Sequence, residues 1–566
     1  MGFRLASIVL PVKEFMKVKK EFPFIIFLAM ALLAVLWYSS TQNNDSTSNI
    51  PANADNSQRL ESPGSRFVPT PKRFPPRIDA TDSPEISFET LAKLLSTERK
   101  PLRDIVIGFS SAEQAADFAA EAPLNGIEII DESKALATLR LRLRDPFKAR
   151  DLLREWKEET ELEWNRVVQA PALPRPEYLD GEKGFGGDAA DWMDVPSDRS
   201  EWGRGVTVAV LDSGVAVDHP SLRDSKITSL DFVGGSLGPD GAYLGHGTAI
   251  ASLIAGTTEG EEGLAPKADI LSIRVLDGEG GGDSFTVARG IVEAADRGAD
   301  VINLSLGSET SSHVLENAVK YAQGKGAIVV ASVGNEGIRG VTFPARYEGV
   351  IGVTSVDAKG RQSAFANYGE EVDLAAPGIG VHAAWSGDET VSFSGTSSST
   401  AFVTGALAAE ISRNPGMKPD QVQDMLYQYA NEAEKPGEDL WTGHGILNVG
   451  RVENRNVSGI RDAALVGYYF DPAELKGGTT PFLVNVQNQG TEWLKGVSLE
   501  VEYNGVNRNY LIGSLDPGQV RSEKLYLDAA SVADPDGVRI VSKVSLPDGR
   551  DAKPENDKRV SRLTLP

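Results

Sequence analysis

The chain has 566 residues, a net charge of −23 and 41% apolar residues. That length exceeds one hydrophobic core, so several domains are expected, and the apolar share suffices to fold most of the chain. The acidic balance argues against a nucleic-acid-binding surface, and the absence of cysteine excludes disulfide scaffolds, thiolate zinc sites and a cysteine nucleophile.

At the N-terminus, Arg4, Lys13, Lys17, Lys19 and Lys20 precede an uncharged apolar run, Phe22 to Tyr38. At 1.5 Å per residue this run, extended to Thr41, matches the ~30 Å hydrocarbon core of a bilayer. Residues 22–41 are therefore expected to be a transmembrane signal anchor behind a cytoplasmic basic segment, 1–21, with Trp37 and Tyr38 at the far interface. A cleaved signal peptide is the rival reading, but no Ala-x-Ala step follows the run, and either reading exports the remainder. Residues 42–86, rich in Ser, Asn, Asp and Pro, read as a disordered linker.

Residues 87–168 read as a small α+β unit. "DIVIGF" alternates as a strand, "SAEQAADFAAEA" opens a helix with a Ser cap, and "GIEIID" and "ALATLRLRL" are two further strands. "DPFKARDLLREWKEE" is a helix capped by Asp145 with Pro146 at its first position, and "LEWNRVV" closes a β-α-β-β-α-β order of ferredoxin-like kind. A Pro- and Gly-rich linker is expected over 169–200. Residues 201–453 alternate amphipathic helices with near-continuous apolar strands ("VTVAVLD", "ADILSIRVL", "ADVINLSLG", "AIVVASVGN", "GVIGVTSV"), the pattern of an α/β domain whose mostly parallel sheet is covered on both faces. Residues 460–566 return to alternating strands with turn signals, as in an Ig-like β-sandwich.

In an open parallel sheet ligands bind beyond the carboxyl ends of the strands, so those ends are where a site belongs. There the chain places Asp212 in "LDSGV", Ser305-Leu306-Gly307, and Asn335 in "SVGNEG". His246 starts a helix in "LGHGT", and "FSGTSSST" opens another with four serines. A carboxylate, an imidazole, a hydroxyl cluster and an amide donor are the parts of an acyl-transfer site. A serine hydroxyl becomes nucleophilic when an imidazole takes its proton, a carboxylate orients that imidazole, and fixed donors receive the oxyanion.

Over residues of about 185 to 450 these motifs resemble those of the subtilisin-like serine proteases, or subtilases, in the order Asp, His, Ser. "VLDSGV", "GHGT" and "SGTS" resemble the family's three triad motifs, and "VGNEG" its oxyanion asparagine motif. "NLSLGS" and "VLDGEGGGDSF" resemble the segments that flank the substrate on either side, and "TFPARYEGVIGV" a family strand entry. The resemblance implies a subtilisin-like doubly wound fold and serine endopeptidase activity. It implies that Asp212 orients His246, that His246 is general base and then acid, and that Ser397 is the nucleophile. It further implies an oxyanion hole of Asn335 and the Ser397 amide, and a polypeptide substrate held as an added strand between Ser305, Leu306, Gly307 and Gly280, Gly281, Gly282. Ser332 and Gly334 would line the primary pocket, with Glu336 near its rim and Thr342 narrowing its base.

By the same resemblance, 87–168 is a propeptide that inhibits the catalytic domain until cleaved, a retained accessory domain being the other reading. The C-terminal unit resembles sandwich domains of the CARDB type, with a protein partner as its expected ligand. No cofactor is required for the chemistry. A structural calcium ion is open but unassigned, because "AGTTEGEEGLAP" is short where many relatives carry a calcium-binding loop. The family's serine is usually followed by Met and Pro, whereas Ser398, Ser399, Thr400 and Ala401 follow here. That departure motivates the alternative of a weak or inactive peptide-binding relative. A serine esterase would need a G-x-S-x-G elbow and another residue order. His219, His313, His382 and His444 carry no motif and are expected on the surface or in loops.

Overall fold

The computed structural model describes residues 65–67, 104–157, 160–234, 243–258, 262–470, 479–503, 505–528, 538–547 and 549–563. The basic segment 1–21, the expected membrane segment 22–41 and most of the expected linker 42–86 lie outside them. Among the described residues no helix is long and apolar enough to cross a membrane.

The N-terminal unit consists of β1 (Ile105–Phe109), α1 (Ala112–Glu121), β2 (Ile127–Ser133), β3 (Thr138–Leu143), α2 (Pro146–Glu155) and β4 (Thr160–Trp164). Its strands form an antiparallel sheet in the order β2-β3-β1-β4, which is the ferredoxin-like arrangement. Each helix starts where a side chain satisfies a free amide: Ser111 Oγ accepts from Gln114 N, and Asp145 Oδ1 from Lys148 N. Ile105, Ile107, Leu139 and Leu141 bury one sheet face against Phe118 and Leu153 of the helices.

The central domain is built on β6 (Thr207–Asp212), β7 (Ile227–Asp231), β8 (Asp269–Arg274), β10 (Val301–Leu304), β11 (Ile328–Ser332), β12 (Val350–Val356) and β13 (Leu374–Pro377). They form one sheet, in the order β13-β12-β11-β10-β6-β8-β7, with every neighbouring pair parallel. Successive side chains point to opposite faces. Val208 and Val210 accordingly pack with helices α3 (His246–Ala255) and α6 (Thr396–Arg413), while Ala209 and Leu211 pack with α4 (Ser284–Asp296) and α5 (His313–Gly324). Both faces are covered, which is why these strands read as unbroken apolar runs.

Two features depart from the sequence reading. Residues 169–200 are not a free linker: Phe185, Ala189, Met193 and Val195 are buried in the core of the central domain. Periodicity cannot register so short a segment when its apolar residues are spaced by Gly and Pro. Within the stretch assigned to the linker 42–86, Ser65–Phe67 pairs in parallel with Ser561–Leu563. His219 lies in a loop, as one of its two expected placements has it, and is buried there; its Nδ1 accepts from Ser221 N, and its Nε2 lies 3.1 Å from the carbonyl of Glu389.

The C-terminal unit is a sandwich of two sheets. One contains Leu494–Tyr503, Val506–Leu515, Val538–Ser545 and Lys558–Leu563; the other contains Ala463–Phe470, Thr479–Asn488 and Val520–Asp528. Val484, Val497, Leu499, Ile540 and Val544 close the core between them.

Candidate active site

Asp212 ends β6 and is buried. His246 opens α3, and its Nδ1 lies 2.9 Å from both Asp212 oxygens. An ionised carboxylate can only accept, so Nδ1 carries the proton and Nε2 is left with its lone pair. The ring is held between Tyr243 and Phe393, whose centroids are 5.7 and 5.5 Å away, and is 1% exposed. The glycine after the histidine is a packing requirement: a Cβ on Gly247 would stand 2.3 Å from the Gly214 carbonyl and 3.1 Å from Asp212 Cβ.

Ser397 is the second residue of α6, and the preceding Gly395 has φ 152°, a conformation that favours glycine. Asn335 lies in the loop after β11. Its Oδ1 accepts from Thr396 N (3.0 Å) and Thr396 Oγ1 (2.8 Å), which turns Nδ2 toward the cleft. Beneath the serine runs a buried polar chain: Thr404 Oγ1 donates to Asn303 Oδ1, Asn303 Nδ2 to Ser305 Oγ, and Ser305 Oγ to the Ser397 carbonyl. Among the described hydrogen bonds none joins His246 Nε2 to Ser397 Oγ; α3 and α6 nevertheless pack side by side on one face of the sheet.

The hydroxyls that follow Ser397 are all satisfied. Ser398 Oγ donates to the Gly395 carbonyl, Ser399 Oγ to those of Ala376 and Pro377, and Thr400 Oγ1 to that of Thr396. The unusual residues after the serine therefore tie down the helix entry.

The cleft holds a segment of the chain itself. β5 (Val167–Gln169) pairs antiparallel with β9 (Gly281–Asp283), and Gln169 exchanges two backbone hydrogen bonds with Gly307, at 2.9 and 2.7 Å. Ala170 N donates to the Gly280 carbonyl at 2.8 Å, and Asn335 Nδ2 donates to the Ala172 carbonyl at 2.9 Å. Gly280, Gly281, Gly282 and Gly307 thus flank an extended segment of the chain itself. Leu306 and Ser332 lie beneath the cleft and are fully buried. Gly334 stands beside Glu336, Asn367 and Thr342.

Sequence reasoning missed the residues that dock the N-terminal unit. The buried carboxylate of Glu163, from β4, accepts from Ser312 Oγ, His313 N and Val314 N at the start of α5. Asn165 Oδ1 likewise accepts from Ser284 Oγ and Phe285 N at the start of α4. Burial raises the Glu163 pKa above the usual carboxylate range despite these donors. Alternation offered no signal: Leu162 and Trp164 face the unit's own core, so Glu163 falls on the phase that reads as solvent-facing. Arg140 adds an ion pair to Asp283 at 3.2 Å. Replacing Glu163 by Ala is expected to cost about 1–3 kcal/mol at this contact. Amide exchange at His313 and Val314 in the full-length chain should then accelerate by about 10- to 100-fold; unchanged exchange would contradict the contact.

Among the described residues no three His, Asp or Glu side chains converge as a metal site. Beside the short loop at 256–263, the Arg199 guanidinium donates to the carbonyls of Pro196, Glu262 and Gly263.

A doubly wound parallel sheet with a buried carboxylate–imidazole pair, a serine at the start of a helix packed on the same face of the sheet, and a cleft that holds an extended strand is the architecture of a class of hydrolase. Residues 203–445 match the subtilase family, Peptidase_S8. The chain is 38% identical over 258 residues to a thermostable alkaline protease of Halalkalibacterium halodurans, covering 45% of this chain and 69% of that one. It is 42% identical over 206 residues to thermitase of Thermoactinomyces vulgaris, covering 36% and 74% of the two chains. An alkaline protease of Alkalihalobacillus alcalophilus is 30% identical over 383 residues, 66% of this chain and 97% of that protein. The chain belongs to the subtilase family and is a subtilisin-like serine endopeptidase.

Proposed function

We propose that Asp212, His246 and Ser397 hydrolyse peptide bonds through an acyl-enzyme, and that the chain is made as a zymogen. His246 Nε2 takes the Ser397 proton as Oγ attacks the scissile carbonyl, and Asp212 stabilises the resulting imidazolium. Asn335 Nδ2 and the Ser397 amide receive the oxyanion. His246 then gives its proton to the leaving amine, and water releases the acyl group by the reverse sequence. The observation that carries this reading is the Asn335 amide, aimed by Thr396, donating to a carbonyl of a peptide strand already in the cleft.

The N-terminal unit is the propeptide in this reading, since its last residues fill the cleft that substrate needs. The basic segment and apolar run at residues 1–41 support export and anchoring of the catalytic domain outside the cytoplasm. Fluorophosphonate labelling of purified chain tests the nucleophile: Ser397→Ala should abolish labelling and self-cleavage together. Survival of both would remove Ser397 from the mechanism.

A further inference from the structure

We infer that this site selects bonds that follow a small side chain, and that the first such bond is Ala172–Leu173 of its own chain. The inference rests on the endopeptidase reading above and adds the substrate class to it.

The choice of bond follows from which carbonyl meets the amide donor. In the stretch Gln169 to Pro174, the bonds Ala170–Pro171 and Leu173–Pro174 have proline nitrogens as leaving groups, and the rigid ring restricts the residue before it. That leaves Pro171–Ala172 and Ala172–Leu173. The Pro171 carbonyl is engaged elsewhere, accepting from Tyr243 Oη at 3.2 Å. The Ala172 carbonyl accepts from Asn335 Nδ2 at 2.9 Å, and Asn335 cannot turn away without losing both bonds to Thr396. The cleavage forms a bond from Ser397 Oγ to the Ala172 carbonyl carbon and breaks the bond to Leu173 N. The serine proton passes through His246 to that nitrogen. Water then cleaves the ester, so one product ends in the Ala172 carboxylate and the other begins with the Leu173 amine.

The choice of side chain follows from Thr342. It fills the space between the two glycine walls of the primary pocket: a Cβ on Gly307 would stand 2.6 Å from Thr342 Oγ1, and one on Gly334 would stand 3.1 Å from Thr342 Cγ2. The threonine is held there, its N donating to the Val333 carbonyl at 3.1 Å and its Oγ1 to the Ser332 carbonyl at 3.4 Å. Behind Gly334 the Glu336 carboxylate, accepting from Asn367 Nδ2 at 2.7 Å, occupies the remaining room. A pocket closed in this way has room for a side chain no larger than a methyl, which is the side chain carried by the residue whose carbonyl meets Asn335. A large aromatic side chain would have to displace a hydrogen-bonded threonine.

Two measurements on the full-length chain test this. N-terminal sequencing of the processed catalytic fragment should read from Leu173; a start at Ala172, or at any other residue, overturns the bond assignment. Tetrapeptide anilides differing only in the residue before the bond should give kcat/KM at least about tenfold higher for Ala than for Phe. Thr342→Gly should narrow or invert that ratio by about tenfold or more. Equal or better cleavage after Phe by the unaltered enzyme would overturn the specificity while leaving the endopeptidase reading intact. No hydrolysis of any peptide, together with no fluorophosphonate labelling, would overturn both.

Discussion

Asp212→Asn is expected to fold as the native chain does and to hydrolyse peptides about 10⁴-fold more slowly, a loss of about 5.5 kcal/mol of transition-state stabilisation. That magnitude is the one known for carboxylate substitutions in such triads, the subtilisins among them, and is not read from the distances here. The direction is read from them. Both Asp212 oxygens lie 2.9 Å from His246 Nδ1, so the carboxylate accepts whichever oxygen is used. An asparagine can present its NH₂ to Nδ1 instead, which moves the ring proton to Nε2, where it cannot accept from Ser397. It also leaves a developing imidazolium in a buried site without a counter-charge. The His246 ring is 1% exposed, so water cannot substitute for the missing partner. Steady-state kcat on a peptide substrate, with a thermal melt to verify folding, decides the matter; a kcat within tenfold of native would remove Asp212 from the mechanism.

The second large effect concerns the junction of the catalytic and C-terminal domains, which should weaken as pH rises from about 5 to 8. Glu432 is buried where its backbone N donates to Gln487 Oε1 of the sandwich, and burial pushes its pKa up to about 7. Asp462, at the start of the sandwich, is buried beside Asp551 and pushed up to about 6, first by burial and further by that neighbour's charge. For both groups the folded pKa lies above the unfolded one. The folded state therefore keeps protons that the unfolded chain gives up, and stability falls as pH rises through this window before levelling off. Each group contributes at most about 3 kcal/mol to the fall, by the rule of about 1.4 kcal/mol per pKa unit. Asp462 Oδ1 accepts from Asn556 Nδ2, and an amide oxygen can do the same, so Asp462→Asn preserves the contact while removing the titration. Melting curves at pH 5, 6.5 and 8 should show a smaller drop for Asp462→Asn than for the native chain. An equal drop in the two would exclude Asp462 as a source.

Much of the site was legible because its parts are local. The strand ending in Asp212, the Gly-His-Gly turn into α3 and the Gly-Thr-Ser turn into α6 each need particular residues at adjacent positions. Gly247 shows why: the helix approaches β6 so closely that no Cβ fits. The helix starts at Ser111 and Asp145 were readable for the same reason, since a cap and the amide it satisfies lie three residues apart. The parallel sheet was readable from apolar runs, because burial on both faces removes the alternation that an exposed face would impose.

What the sequence by itself determined is therefore the order of elements, the family and which residues lie at the strand ends and helix starts. The tertiary structure alone decided which distant partners these elements take. Glu163 and Asn165 became caps for helices more than a hundred positions away, and Ala172 was brought to Asn335 across 163 positions. Thr342 became a wall between Gly307 and Gly334, and residues 185–195 became core where a linker was expected. Local periodicity records only whether a side chain is buried. Which surface buries it, and which free amide it satisfies, depends on contacts that the chain acquires when its domains close on one another.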